Sequence, residues 1–383
     1  MSTRTNLYYT FSLAVLMLSA SGCEGGSSLE EMAVEDTTNS RVEIKLCAAM
    51  GTAKAQVEVI PGDANRYAAH GMTRSYTDKT AFTTGDRIGF FGFDADGCDA
   101  AASVGQDYPA VLSYNNNCLY TAEGTSQQQT VGGVTADYYN FNSTDPLVFL
   151  PGTGTTRIYL YGYYPYNGTY TSDHIPVRSS LVSDNTGNVP DDLLYTGRVE
   201  ATKQQIDHAN PPSAESGKLS VSVYPEFGHV MGQMVIKVKM VSADTYDPDA
   251  VQLKRLLVYF KEKQEGTFDV TKGVITSKAE EYTLYTLAPS SPMPLTTEYQ
   301  LFATETVFPG EDMIVSIGAV VTIDGVEKNT ITVFNIADSD TKPINFAAGK
   351  KTGLNISFDI RKIDTAASLK AWTDDDNSYE LGN

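Results

Sequence analysis

The chain has 383 residues, 41% of them hydrophobic, and carries 47 acidic against 28 basic side chains for a formal net charge of -19. That length accommodates about two domains with substantial cores, and the hydrophobic content excludes a disordered protein. The acidic surplus excludes nucleic acid and anionic membrane surfaces as partners, because both repel a surface of like charge.

Arg4 forms a small basic start, Leu7 to Leu18 a short apolar run, and Ser19-Ala20-Ser21-Gly22 a set of small residues before Cys23. The run is too short to span a bilayer and has the flanks of a cleaved export signal. Ala20-Ser21-Gly22-Cys23 resembles the lipobox of exported lipoproteins, with Ala20 where leucine is commoner. A signal peptide over 1–22 and lipidation of Cys23 follow, the lipid holding the precursor on a membrane. Residues 23–41, with Glu24-Gly25-Gly26-Ser27-Ser28, read as a solvated tether. No later segment is long and apolar enough to cross a membrane as a helix.

Period-two alternation then dominates, the mark of strands with one buried face. Val42, Ile44 and Leu46 alternate with Glu43 and Lys45, and a second strand-like run covers Gln56 to Ile60. Pro61, Gly62, Asn65 and Gly71 mark an exposed connection. Asp94 to Gly133, rich in Gly, Asn, Gln and Ser, reads as a decorated loop region. Tyr159 to Tyr166 is an aromatic strand. Asn210-Pro211-Pro212 and the polar residues after it break the ladder, so the domains are expected at 42–212 and 213–383.

In the second of these, alternation returns at Leu219, Val221 and Val223, at Ile236, Val238 and Met240, and at Leu354, Ile356, Phe358 and Ile360. Ala250 to Tyr259 suggests short helical turns. Asp324-Gly325 between β-rich runs predicts a tight hairpin, since both residues tolerate positive φ. The expected architecture is all-β, two antiparallel sandwich-like domains.

Catalytic chemistry is absent from the pattern. His70, His174, His208 and His229 are scattered, Asp94, Asp96 and Asp99 lack the glycine and distal glutamate of a calcium loop, and Gly152 to Thr156 lacks a phosphate-binding ending. An enzyme, a metal and a cofactor are therefore not expected. Cys98 and Cys118 flank the irregular stretch and are expected to pair as a disulfide, leaving Cys47 buried and single.

Several segments together resemble the fimbrillin family, the lipoprotein-derived subunits of type V pili. Thr73-Arg74 with Gly85-Asp86-Arg87-Ile88-Gly89, Tyr161-Gly162-Tyr163-Tyr164-Pro165-Tyr166, Asp192-Leu193-Leu194-Tyr195, Phe227-Gly228-His229-Val230-Met231-Gly232, Ala348-Gly349-Lys350 and Trp372 follow the family's order. The resemblance implies two transthyretin-like β-sandwich domains and a polymerising subunit of a cell-surface fimbrium. The precursor would be anchored to the outer membrane by its lipid. It also implies strand exchange with other pilus subunits. An arginine-specific protease would cut after Arg74, or else after Arg66 or Arg41, and release the N-terminal strand. A neighbour's C-terminal segment would replace that strand, with Ile363, Ala366, Leu369 and Trp372 as groove fillers. Their three-residue spacing is less regular than a strand requires, and Asp374-Asp375-Asp376 makes the tail acidic. A tip adhesin or surface lipoprotein binding a glycan or protein through the Asp94 to Gly133 loops, and an uncut membrane anchor, share the same fold.

Overall fold

The computed structural model describes residues 41–51, 79–96, 111–131, 134–182, 189, 190, 192–205, 219–241, 250–277, 282–328, 331–335, 337, 342–360, 368–370 and 378–382. The strands of the first half are β1 (Val42–Met50), β2 (Arg87–Asp94), β3 (Cys118–Val131), β4 (Val134–Asn142), β5 (Val148–Phe149), β6 (Arg157–Tyr164), β7 (Ile175–Arg178) and β8 (Leu194–Thr202). β9 (Leu219–Val223), β10 (Glu226–His229), β11 (Gly232–Met240), β12 (Val251–Phe260), β13 (Glu265–Asp269), β14 (Val274–Ser277), β15 (Thr283–Leu287) and β16 (Met293–Pro294) follow. The chain continues through β17 (Gln300–Val307), β18 (Ile314–Ile323), β19 (Val326–Glu327), β20 (Ile331–Asn335), β21 (Lys351–Phe358), β22 (Ser368–Lys370) and β23 (Ser378–Gly382). Among the described residues the only helical pieces are short 3-10 turns, and the fold is all-β.

The first sheet runs β10-β8-β6-β2-β3-β4-β1 and closes when β1 pairs with β10, making a seven-strand barrel. β5 and β9 are added along β1. β9 and β10 lie beyond residue 213 yet pair with β1 and β8 of the first half. Alternation explains the barrel interior: Ile88 and Phe90, Tyr120 and Ala122, and Ile158 and Leu160 all turn into one core with Val42, Ile44 and Leu46.

The remaining strands form a sheet ordered β17-β11-β21-β23-β22 and another ordered β15-β12-β18-β19, with β16 and β20 beside β12 and β18. Met234, Ile236 and Val238 of β11, Leu354 and Ile356 of β21, and Val251, Leu256, Val258 and Ile317 of the other sheet share one core. The outward aromatic row of the barrel, Phe91, Phe93, Tyr159, Tyr161 and Tyr163, belongs to that same core. A third sheet, β14-β13-β7, ties the halves directly, with Arg178, Val177, Pro176 and Ile175 opposite Glu265, Gly266, Thr267 and Phe268.

The tight hairpin expected at Asp324-Gly325 joins β18 to β19, with φ of 50° and 75° at its two central residues. Two readings of the sequence are corrected. Ala250 to Tyr259 is not a set of helical turns: β12 runs from Val251 to Phe260, and a register shift between Leu253 and Arg255 moves its buried positions from Val251 and Leu253 to Leu256, Val258 and Phe260. That bulge breaks the alternation by which a strand is recognised. The second half of the supposed loop region is strand as well, since β3 pairs with β4 out to Val131 and Val134. Most side chains of β3 from Glu123 onward are exposed or half-exposed, so they show no alternation of apolar and polar.

The glycines of the first half's motifs have a steric origin. Gly89 lies opposite Tyr163, and Phe90 lies opposite Gly162, so each strand lays a ring across the other's glycine. A Cβ on Gly89 would come within 2.3 Å of the Tyr163 ring, and one on Gly162 within 2.4 Å of the Phe90 ring. Tyr163 cannot step aside: its hydroxyl donates to Asn117 Oδ1 at 2.6 Å, and its ring stacks on Phe91. Gly89→Ala is therefore expected to destabilise the fold by about 1–3 kcal/mol through overpacking. Gly228→Ala, whose new methyl meets nothing within 4 Å, is the control and should stay within about 0.5 kcal/mol of the parent in chemical denaturation.

Candidate strand-exchange groove

β1 is hydrogen-bonded along both edges. On one side Leu46, Cys47 and Ala48 pair with Phe141, Asn140 and Tyr139 of β4, and Val42 and Glu43 pair with Phe149 and Val148 of β5. On the other, Val42 to Leu46 run parallel to Leu219 to Val223, and Ala49 and Met50 run parallel to Glu226 and Phe227. Between β4 and β5 the chain of the partner side turns away, and Tyr120 fills the gap. Its hydroxyl donates to Ile44 O at 3.0 Å and accepts from Leu147 N at 2.8 Å, while Ile44 N donates to Leu147 O at 2.8 Å. Burial pushes the Tyr120 phenol above its ordinary range, the contact with Leu147 N opposing this in part.

The inward row of β1 is Val42, Ile44, Leu46 and Ala48, each at most 1% exposed. Phe82, Phe90, Phe141, Phe149, Val221 and Phe227 belong to the same core. At about 1.5–3 kcal/mol for each large aliphatic side chain, Val42, Ile44 and Leu46 contribute about 5–9 kcal/mol. That is of the order of a whole domain's net stability. A barrel lacking β1 would expose this row's pocket and the edges of β4, β5, β9 and β10 at once, so the site has the chemistry to take up an extended strand.

The chain beyond the groove is anchored separately. Phe82 is buried and meets Phe141, Phe227 and Tyr164 edge-on at 5.2, 5.2 and 5.9 Å. Asp86 holds the turn that positions it: its Oδ2 accepts from Thr83 N at 2.6 Å and from Lys79 Nζ at 2.8 Å, and its Oδ1 accepts from Tyr164 OH at 3.2 Å. Partial burial opposes charge on Lys79, but the bonded Asp86 carboxylate outweighs it and raises the ammonium's pKa. This accounts for the Gly85-Asp86 motif as a clamp.

Arg41 immediately precedes β1 and is exposed. Arg66, Arg74, Cys23, Cys98, Ile363, Ala366 and Trp372 lie outside the described residues, as does the run Gln56 to Ile60. Leu369 falls on β22, opposite Leu381 of β23, and β23 lies parallel to β21. Cys118 is buried with a free thiol, not bonded to any described cysteine, and its expected disulfide partner Cys98 lies outside the described residues. Cys47 is free but only half-buried, because the parity of β1 places it with Glu43 and Lys45 on the outer face, where its thiol donates to Asn140 Oδ1 at 3.0 Å. Asp94 and Asp96 hold the loop before β6, accepting from the Thr155 hydroxyl at 3.0 Å and the Thr156 hydroxyl at 2.9 Å. His229 Nδ1 lies 2.7 Å from Asp192 Oδ2. Among the described residues no group of three or more His, Cys, Asp or Glu is placed to hold a metal ion. Tyr120 was not singled out by sequence, since it lies within the stretch read as loop.

Residues 73–372 match the fimbrillin-like family, and the chain belongs to that family. It is a structural, non-enzymatic subunit of fimbrial type, located at the cell surface and associating with other subunits of its kind. Similar solved structures include a candidate cell adhesion protein from Bacteroides uniformis, 16% identical, covering 85% of this chain and 94% of that one at a TM-score of 0.45. Another candidate cell adhesion protein, from Bacteroides ovatus, is 18% identical over 85% of this chain and 93% of that one at 0.44. A fimbrial assembly protein from Parabacteroides distasonis is 10% identical over 82% and 90% at 0.37. No curated protein matches the chain.

Tyr120→Phe should cost about 1–3 kcal/mol, since it leaves the buried Leu147 N–H and Ile44 carbonyl without their shared partner. Amide hydrogen exchange should show faster exchange at Ile44 and Leu147 than at β21. The Cys118 thiol gives a pH dependence. Burial, with Asp145 adding to it, raises its pKa from 9.0 to about 12, so its contribution to stability is complete below 9.0 and is lost as pH rises towards about 12. Denaturation at about pH 10 should show the fold weaker than at about pH 8, with Cys118 accounting for about 1 kcal/mol of the loss. Cys118→Ala should remove that part, and an unchanged pH difference would refute the assignment.

Proposed function

We propose that this chain is a pilus subunit that polymerises by exchange of β1 for a strand from a second copy, triggered by proteolysis between Gly51 and Lys79. The observation that carries the reading is the double pairing of β1. Its inner row is fully buried, both its edges are bonded, and its only forward covalent link runs through the segment holding Arg66 and Arg74. A cut after either arginine severs the covalent link between β1 and the rest of the barrel and makes β1 replaceable, while Phe82 and the Asp86 clamp hold the chain from Lys79 onward. An open groove would leave apolar surface and unpaired backbone groups exposed, and a donor strand offsets both costs.

The donor is the segment that follows Ile360, including Ile363, Ala366, Leu369 and Trp372. Pairing of β23 with β21 must be released, or bypassed, before this segment can reach a neighbour. The precursor is read as a lipoprotein acylated at Cys23 and held on the outer membrane, with residues 23–41 as tether. Its body is read as two transthyretin-like sandwich domains over 42–212 and 213–383, the second lending β9 and β10 to the first.

Combined Arg66→Ala and Arg74→Ala substitution should leave full-length protein that stays monomeric on the membrane. N-terminal sequencing of surface material from the parent should begin at Ser75 or Tyr67. Polymer formation by the double variant with β1 still attached would overturn the exchange reading.

A further inference from the structure

The burial pattern of β1 has one exception to its alternation. Glu43, Lys45 and Cys47 face outward and are at least partly exposed, yet Ala49, of the same parity, is 1% exposed. Its cover comes from the two strands flanking it. On the β10 side Ala49 pairs with Glu226. On the β4 side the last paired residues are Ala48 and Tyr139, and one step further along the ladder Tyr138 stands opposite Ala49. Tyr138 shares its face with Asn140, whose side chain already receives the Cys47 thiol on that outer surface. The Tyr138 hydroxyl donates to Glu226 Oε1 at 3.1 Å.

Adjacent strands lie about 4.8 Å apart, so Tyr138 and Glu226 stand about 10 Å from each other with β1 between them. A phenol and a carboxylate together span that distance only by lying across the intervening strand. The ring is itself 2% exposed and is met edge-on by Tyr224 at 5.7 Å, which fixes its tilt. The hydrogen bond thus spans β1 at the level of Ala49, whose side chain is 1% exposed.

We infer that Tyr138 and Glu226 form a strap over the groove that sets its sequence specificity, so that a strand entering it from a second copy of this chain must carry a small residue at the register of Ala49. The inner face selects large aliphatic residues at the registers of Val42, Ile44 and Leu46; the strap adds a size limit on the opposite face, three residues beyond Leu46. Ala366-Ala367 is the one pair of adjacent alanines in the segment after Ile360. This inference rests on the exchange reading for its consequence, but the strap itself can be tested without exchange.

The first experiment is a double-mutant cycle in the full-length, uncut chain. Ala49→Leu should lower the melting temperature by about 5 °C through overpacking beneath the ring, and Ala49→Ser should leave it nearly unchanged. Tyr138→Ala combined with Ala49→Leu should recover most of the loss measured against Tyr138→Ala alone. Additive effects would overturn the strap. The second experiment presents labelled nine-residue peptides of the β1 sequence, with Ala or Leu at the Ala49 register, to the nicked chain that retains both fragments. The Ala peptide should be taken up at least tenfold better, and the preference should vanish in the Tyr138→Ala chain. Equal uptake of both by the parent overturns the specificity. Uptake of neither, with coupling intact in the cycle, refutes exchange at this groove and leaves the strap as a lock on the resident strand.

Discussion

The barrel exists because β1 is bonded along both edges. A curled sheet of six strands would leave two rows of unpaired amides and carbonyls facing each other across a gap, and β1 is the stave that satisfies both. Side-chain packing follows from that closure. Val42, Ile44 and Leu46 supply the aliphatic row about which Phe82, Phe90, Phe141 and Phe227 arrange themselves, edge to face where their rings meet. The backbone gap between β4 and β5 is bridged by one phenol, Tyr120, rather than by another strand.

The second half supports the barrel from outside through a satisfied polar joint. Ser180 and Thr306 exchange hydrogen bonds, Ser180 N donating to the Thr306 hydroxyl at 2.9 Å and Thr306 N donating to the Ser180 hydroxyl at 2.8 Å. Ser179 N donates to Gln264 O at 2.9 Å, and Gln264 Oε1 accepts from Phe308 N at 2.8 Å. Ser179, Ser180, Gln264 and Thr306 are all buried, so separating β7 from β13 and β17 would strand each of them. The barrel's outer aromatic row is buried in the apolar core it shares with the second half.

Where one face of a strand meets a core and the other meets water, the sequence was readable. β1, β9, β11 and β21 were all legible as alternation, and the Asp324-Gly325 turn as chemistry. Two kinds of strand escaped. β12 hides its period behind a bulge, since Leu253 and Leu256 are separated by three positions instead of two. The outer part of β3 buries little on either side, and a run such as Gln127-Gln128-Gln129 has no contrast for a period to act on. Of the groove, β1 itself was legible, whereas Tyr120, Tyr138 and Glu226 were not: their roles depend on which strands become neighbours, and that is fixed only when the barrel closes. The need for glycine at positions 89 and 162 likewise depends on strand pairing, which sets them opposite Tyr163 and Phe90.

The direction of β1 relative to its neighbours also has a mechanical side. Hydrogen bonds in a sheet lie across the strands, so a pull along the axis of β1 strains its bonds to β4, β5, β9 and β10 in shear, sharing the load among them. A pull at right angles opens them one after another. A strand seated in this groove therefore resists tension along its length far better than it resists peeling from one end, and the rate at which it escapes depends on the angle of the force rather than on its size alone.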